Sequence, residues 1–180
     1  MRKTRETHTV FSVLHPNTLT ANKGYYTQSL AVLHVCLELG MSADYRPYIN
    51  ETLLTLAVYY HRRERVQLLI KYRADVNCCH GKPIRHAAWK NDLYVTDTLI
   101  NAGADVNLHG TCMSAITRAL TYASLPVVSR LLQAGSGLPD DAVLLARNSN
   151  VDSAEKVAFL NARQETTANS HAADSTIKGI

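Results

Sequence analysis

The sequence predicts an all-α solenoid of stacked helix–turn–helix units, about five of them counting two degenerate caps. Two observations carry that prediction. Arg73-Ala74-Asp75-Val76-Asn77 and Gly103-Ala104-Asp105-Val106-Asn107 are nearly the same five residues set thirty positions apart. Self-similarity at such a period marks units that bury their apolar faces on one another. With Ala57, Ala87, Ala119 and Ala146 taken as equivalent, the position sixteen further on is Arg73, Gly103, Gly135 and Ala162. The anchor alanines themselves are thirty, thirty-two and twenty-seven residues apart, so length changes fall between units, where loops tolerate them.

Along the chain, Leu37-Glu38-Leu39-Gly40 precedes Arg73 by thirty-three residues and extends the register upstream. Ser29 to Leu39 then reads as the outer helix of an N-terminal cap. Its inner helix is ambiguous, with residues 1–19 offering Phe11, Val13 and Leu14 as part of that cap. Residues 20–163 are expected to form the repeat domain and 164–180, rich in Thr, Ala, Ser and Asn without periodicity, a disordered tail. Within each unit a short apolar stretch is followed by a polar break, His61-Arg62-Arg63 or Lys90-Asn91-Asp92, and then by a helix-period pattern such as Val66, Leu69 and Ile70. The second helices end alike, in Leu69-Ile70-Lys71-Tyr72-Arg73, Leu99-Ile100-Asn101-Ala102-Gly103 and Leu131-Leu132-Gln133-Ala134-Gly135.

Gly40, Gly103 and Gly135 follow those helices, where a left-handed C-cap needs no side chain. Arg73 stands at the same place, and the left-handed conformation costs a residue with a Cβ about 1–2 kcal/mol. Pro126, close to a candidate cap at Ser124, suits the first turn of its helix. Asp152 and Glu155 read as a capping box that opens the last helix. Asp141 to Arg163 lacks the Gly-Ala-Asp run and carries Glu155, Lys156 and Arg163; it is expected to be the C-terminal cap, with a face that tolerates water.

At 180 residues and 46% apolar content the chain can bury a core, and no uninterrupted apolar run reaches the roughly 18 residues of a membrane span. Met1-Arg2-Lys3-Thr4-Arg5-Glu6 leads to no apolar h-region, so no secretory leader is expected. Cysteines at 36, 78, 79 and 112 show no framework spacing, which points to a reducing cytoplasm.

The formal charge of +4 concentrates in one unit, where Arg62, Arg63, Arg65, Lys71 and Arg73 face Glu64 alone. Arg62, Arg63 and Arg65 form a secondary basic patch with two readings, an electrostatic guide for an acidic partner or a solvated helix face. A pI near 8.9 falls short of a dedicated nucleic-acid binder, and no such module is present. Cys78-Cys79-His80-Gly81 and Leu108-His109-Gly110-Thr111-Cys112 fall at successive hairpin tips and hold the residue types of a zinc site, but adjacent cysteines are not the usual ligand spacing. They are read as loose loop residues, and no metal or cofactor is expected. No phosphate loop, H-E-x-x-H or nucleophile motif occurs, and His34, His61, His86 and His109 are scattered over different units. No catalytic residue and no small-molecule substrate is assigned.

The repeated unit resembles the ankyrin family, whose pattern reads roughly T-P-L-H-x-A-A, a turn, V-V-x-x-L-L and G-A-D-V-N. Lys82 to Asn107 matches through Pro83, Ile84, Ala87, Ala88, Val95, Leu99, Ile100 and the Gly-Ala-Asp-Val-Asn run. Thr52 to Asn77 matches through Thr52, Leu54, Ala57, Val66, Leu68, Leu69 and Ile70, and Ser114 to Gly137 through Ile116, Ala119, Val127, Val128, Leu131, Leu132 and Gly135. The family's first-helix histidine is replaced by Thr55, Arg85 and Thr117, so the hydrogen-bonded lock that this histidine provides is not expected in these units.

The resemblance implies a non-enzymatic module that binds a partner protein on its concave side. Of the positions that follow the paired alanines, it selects Tyr59, Tyr60, Trp89, Lys90 and Tyr122, beside Thr121, and adds His86 and Arg118. An aromatic stripe with interleaved cations has the composition of a binding hot spot; the alternative is that some of these rings pack between repeats. The function expected is a stand-alone inhibitor or antagonist, such as a viral or bacterial effector or an immunity-type protein. The other readings are an adaptor that joins two proteins and, ranked below it, a nucleic-acid-associated regulator. An effector would work in a host cytoplasm or nucleus.

Overall fold

The computed structural model describes residues 30–108 and 111–164. Among these residues there are nine helices and no strand: α1 (Leu30–Glu38), α2 (Leu53–Tyr59), α3 (Arg63–Lys71), α4 (Cys78–Trp89), α5 (Leu93–Asn101), α6 (Ala115–Tyr122), α7 (Leu125–Gln133), α8 (Ala142–Arg147) and α9 (153–164). The expectations placed on residues 1–19 and on the tail from 165 lie outside the described residues.

The helices stack in two layers. Each hairpin packs on itself, α2 on α3, α4 on α5 and α6 on α7, while α2, α4, α6 and α8 form an inner row and α1, α3, α5 and α7 an outer row. The anchor alanines explain the spacing. Ala57, Ala87, Ala119 and Ala146 are all buried where inner helices meet, and a side chain of one carbon lets the backbones approach. Around them Leu54, Ile84, Ile116 and Leu120 from the inner row meet Val66, Leu69, Val95, Leu99, Val127 and Leu131 from the outer row in one continuous core. Burying each such side chain contributes about 1.5–3 kcal/mol.

The turn chemistry accounts for the repeated Asp-Val-Asn. Asp75 and Asp105 each accept the N–H of the asparagine two residues on, both at 2.8 Å, the local turn that a short acidic side chain favours. The asparagine then reaches forward. Asn77 accepts the Asp105 N–H at 2.8 Å and donates to the Gly103 carbonyl at 3.2 Å, and Asn107 repeats this with the Gly137 N–H at 3.0 Å and the Gly135 carbonyl at 3.1 Å. Val76 and Val106 between them are buried.

Gly40, Gly103 and Gly135 adopt φ of 93°, 89° and 88°, and Arg73 adopts 61° at the equivalent place, as the register predicts. The missing histidine is replaced by hydroxyls. Thr52 Oγ1 accepts the Thr55 N–H at 3.2 Å and Thr55 Oγ1 accepts the Thr52 N–H at 2.8 Å, a reciprocal capping box on α2. Ser114 caps α6 by accepting the Thr117 N–H at 3.2 Å.

Four expectations are corrected. Asp152 does not form a capping box with Glu155: its φ is 46°, and its carboxylate accepts the Leu125 N–H at 3.1 Å, serving the neighbouring hairpin. Ser124 precedes α7 with Pro126 in the first turn, but its hydroxyl makes no cap and donates to Asn91 Oδ1 at 2.7 Å. Lys156 belongs to no water-facing surface. Its Nζ is buried and donates to the Leu120 and Ala123 carbonyls, both at 2.9 Å, and to Ser149 Oγ at 2.5 Å, which closes the C-terminal end of α6. Cys78 is a core residue rather than a loose one, with Sγ 3.3 Å from Thr52 Oγ1 and its thiol pushed up to about 12 mainly by burial.

Candidate functional site

The inner row carries the candidates that the sequence analysis assigns to the concave side. Tyr59 ends α2 and Tyr60 is its C-cap, His86 and Trp89 lie one turn apart on α4 with Lys90 as C-cap, and Arg118 and Tyr122 lie four apart on α6. The short helices therefore deliver their last turns to the same side of the stack.

The structure brings five of the seven concave-face candidates into one cluster. The Tyr59 ring packs edge to face on Tyr60 with centroids 4.9 Å apart, and lies 5.4 Å from His86 and 5.9 Å from Trp89. His86 and Trp89 are themselves 6.3 Å apart. Lys90 closes the group, with Nζ 4.4 Å from the Tyr59 centroid and 4.5 Å from that of Trp89. Both distances fall inside cation–π range, where each contact contributes about 0.5–1 kcal/mol on a wet surface. Tyr59, His86, Trp89 and Lys90 are half-buried and Tyr60 is exposed, so the rings fill the groove between adjacent inner helices and still present their edges.

Arg118 and Tyr122 continue the stripe on α6. Tyr122 is exposed and Arg118 half-buried. Arg118 enters no ion pair among the described residues, and its Nε is buried with no hydrogen-bond partner there. His86 lies between these cations. Burial first, and then the charges of Lys82, Arg118 and Arg85 against an opposing pull from Glu51, push its imidazole down to about 4, so the ring is neutral near pH 7. Its Nδ1 is buried with no hydrogen-bond partner among the described residues.

The basic patch is not one unit. Arg62 is exposed at the N-cap of α3 and Arg65 half-buried. Arg63 turns to the next hairpin, where Nη2 donates to Asp92 Oδ1 at 3.0 Å and the guanidinium stands 5.1 Å from the Tyr94 centroid. His61 Nδ1 lies 3.3 Å from Asp92 Oδ2, and Asp92 Oδ1 also accepts the Val95 N–H at 3.2 Å to cap α5. Burial alone would raise this carboxyl, but the bonds from Val95, Arg63 and His61 hold it below its ordinary value. The sequence reading passed over Asp92 as part of a polar break. Its position three residues before buried Val95 was the available sign.

At the hairpin tips Asn50, Cys79, His80, Lys82, Arg85, Thr111 and Cys112 line an open cleft of about 410 Å³. Cys79, His80 and Gly81 are consecutively left-handed, at φ of 53°, 58° and 69°. A Cβ on Gly81 would stand 2.6 Å from the Leu108 carbonyl oxygen, so only glycine lets these tips approach. Lys82 pairs with Glu51, and Arg85 hydrogen-bonds the exposed Cys112 thiol and lowers its pKa. His109 lies outside the described residues, and among those described no three His, Cys, Asp or Glu side chains converge as metal ligands.

This geometry defines a class, a solenoid of α-helical hairpins with a lined inner face. The family is the next step. A family model described as Ankyrin repeat matches residues 50–81, the unit built from α2, α3 and the turn beyond, so the chain carries an ankyrin repeat and stacks further hairpins of the same design on it. Ankyrin repeats are generally non-catalytic modules of protein–protein interaction. No curated protein matches the chain.

Proposed function

We propose that the chain is a non-enzymatic binding module that takes a partner protein on its concave face through Tyr59, Tyr60, His86, Trp89, Lys90, Arg118 and Tyr122, and acts as a stand-alone antagonist by covering that partner's surface. The observation that carries this reading is the Tyr59, Tyr60, Trp89 and Lys90 cluster, in which the Tyr60 and Trp89 rings and the Lys90 ammonium each lie within 6 Å of the Tyr59 ring. Large rings held by their neighbours lose little freedom on binding. The outer basic patch supports an adaptor's second site less well, because Arg63 is already engaged by Asp92.

The test is capture of partners from the source cell by wild type and by a Tyr59→Ala, Tyr60→Ala, Trp89→Ala variant with unchanged helical content. A protein retained by wild type and lost by the folded variant supports the concave face. Equal retention by both would move the site to Arg62, Arg65 and the outer row. Antagonism is read separately, as loss of the captured partner's activity when the purified chain is added.

A further inference from the structure

The four inner helices carry no acidic residue. Within Leu53–Tyr59, Cys78–Trp89, Ala115–Tyr122 and Ala142–Arg147 there is no aspartate or glutamate, while Lys82, Arg85, Arg118 and Arg147 are all present and Lys90 caps the second of them. Lys82 is neutralised by Glu51 from the preceding loop. Lys90 has only aromatic faces beneath it, and Arg118 has no carboxylate within reach among the described residues. A partly buried cation without a counter-ion is unfavourable until an anion arrives. Lys90 lies on the Tyr59 and Trp89 rings, and Arg118 stands on α6 at the place that His86, packed on the same two rings, holds on the adjoining α4.

We propose that the concave face recognises an acidic segment of its partner protein, with an Asp or Glu carboxylate seated between Lys90 and Arg118 and the neighbouring apolar side chain against Tyr59 and Trp89. This rests on the concave-face reading above and names the chemistry of its partner. A carboxylate gains two charge-assisted contacts there. Neutral His86, packed on the Tyr59 and Trp89 rings, adds no competing charge.

A peptide fits better than single-stranded nucleic acid, which is also anionic. Base stacking needs a free ring face. Here the Tyr59 and Trp89 rings are tilted 36° to each other and Lys90 already covers one face of each. Two unpaired cations are also few for a phosphate backbone.

Trp89 is the chain's single tryptophan, so its emission reports this site alone. The experiment titrates the full chain with a soluble peptide of alternating glutamate and leucine, with the same peptide carrying glutamine for glutamate, and with a thymidine oligonucleotide. The expected result is a Trp89 shift that saturates with the acidic peptide, weakens with added salt, is weaker by about tenfold or more for the glutamine peptide, and weakens by a similar factor in Arg118→Gln and in Lys90→Gln but not in Arg62→Gln.

Equal binding of the two peptides, lost in the Trp89→Ala variant when followed by calorimetry, would overturn the acidic preference and leave the concave face standing. Binding that Arg62→Gln weakens and Arg118→Gln does not would overturn both. Tighter binding of the oligonucleotide would overturn the peptide assignment, and no response to any of the three at millimolar concentration would overturn the acidic proposal.

Discussion

The inner and outer rows are built from the same helical hairpins and use charge in opposite ways. On the outer row charges are matched across units, Arg63 with Asp92 and Arg130 with Asp97, and neutral bonds from Arg130 to Asn101 and from Gln67 to Tyr94 run beside them. On the inner row the cations Lys90 and Arg118 have no acid to meet, and rings stand where the outer row has carboxylates. A fold needs its charges paired only where they hold units together. Where they are left over, they are available to something else.

The largest effect is expected at Lys156, where a cation of α9 serves the end of an inner helix. Lys156→Met should remove two hydrogen bonds from the end of α6 and one from Ser149, and leave the Leu120 and Ala123 carbonyls buried without these donors; urea unfolding should show a loss of about 3 kcal/mol. Next is Asp92→Ala, which uncaps α5 and releases Arg63 and His61. The expected loss is about 2 kcal/mol, with the Trp89 site unaltered in peptide binding, because the acid belongs to the outer network.

The His86 ring sharpens the comparison through pH. The unfolded chain takes up this proton near pH 6.5, whereas the folded site resists it until about 4. Between those values the unfolded state holds more protons, so stability falls as pH falls through the window. The His86 share should be about 2–3 kcal/mol by pH 4.5, and His86→Gln should flatten that part of the profile in thermal melts.

Arg73→Gly is expected to act in the other direction. It relieves a left-handed residue where the following units already use glycine, and should stabilise by about 0.5–1 kcal/mol after the entropy of the added glycine is counted. The smallest effect is Arg130→Gln on the outer surface, within about 0.5 kcal/mol, since half-exposed ion pairs contribute little.

The fold was readable because a repeat writes its packing several times over. Ala57, Ala87 and Ala119 in register with Arg73, Gly103 and Gly135 fixed both the helix pairs and the left-handed turns. The aromatic cluster was readable for the same reason, since equivalent positions on stacked helices become neighbours. Interactions that occur once were not readable. Lys156 looked like a surface lysine because nothing local says that the α6 carbonyls end beneath it, and Asp152 looked like a cap for its own helix while it serves Leu125. Arg63 looked free because its acid, Asp92, lies twenty-nine residues away. Thr52 with Thr55 was visible only as a departure from the family's histidine, although the pair forms its own lock.

The asparagine clasps also give the chain a direction in time. Asn77 finds its acceptor and donor only in residues 103 and 105, and Asn107 only in residues 135 and 137, so during synthesis each hairpin waits for about one further unit of chain before its turn can close. Protein emerging at about 5–20 residues per second would therefore fasten in steps of a few seconds, each turn secured by the unit born after it. The half-made protein carries at its growing end an open hairpin, one unit long, that the next few seconds of translation will cover.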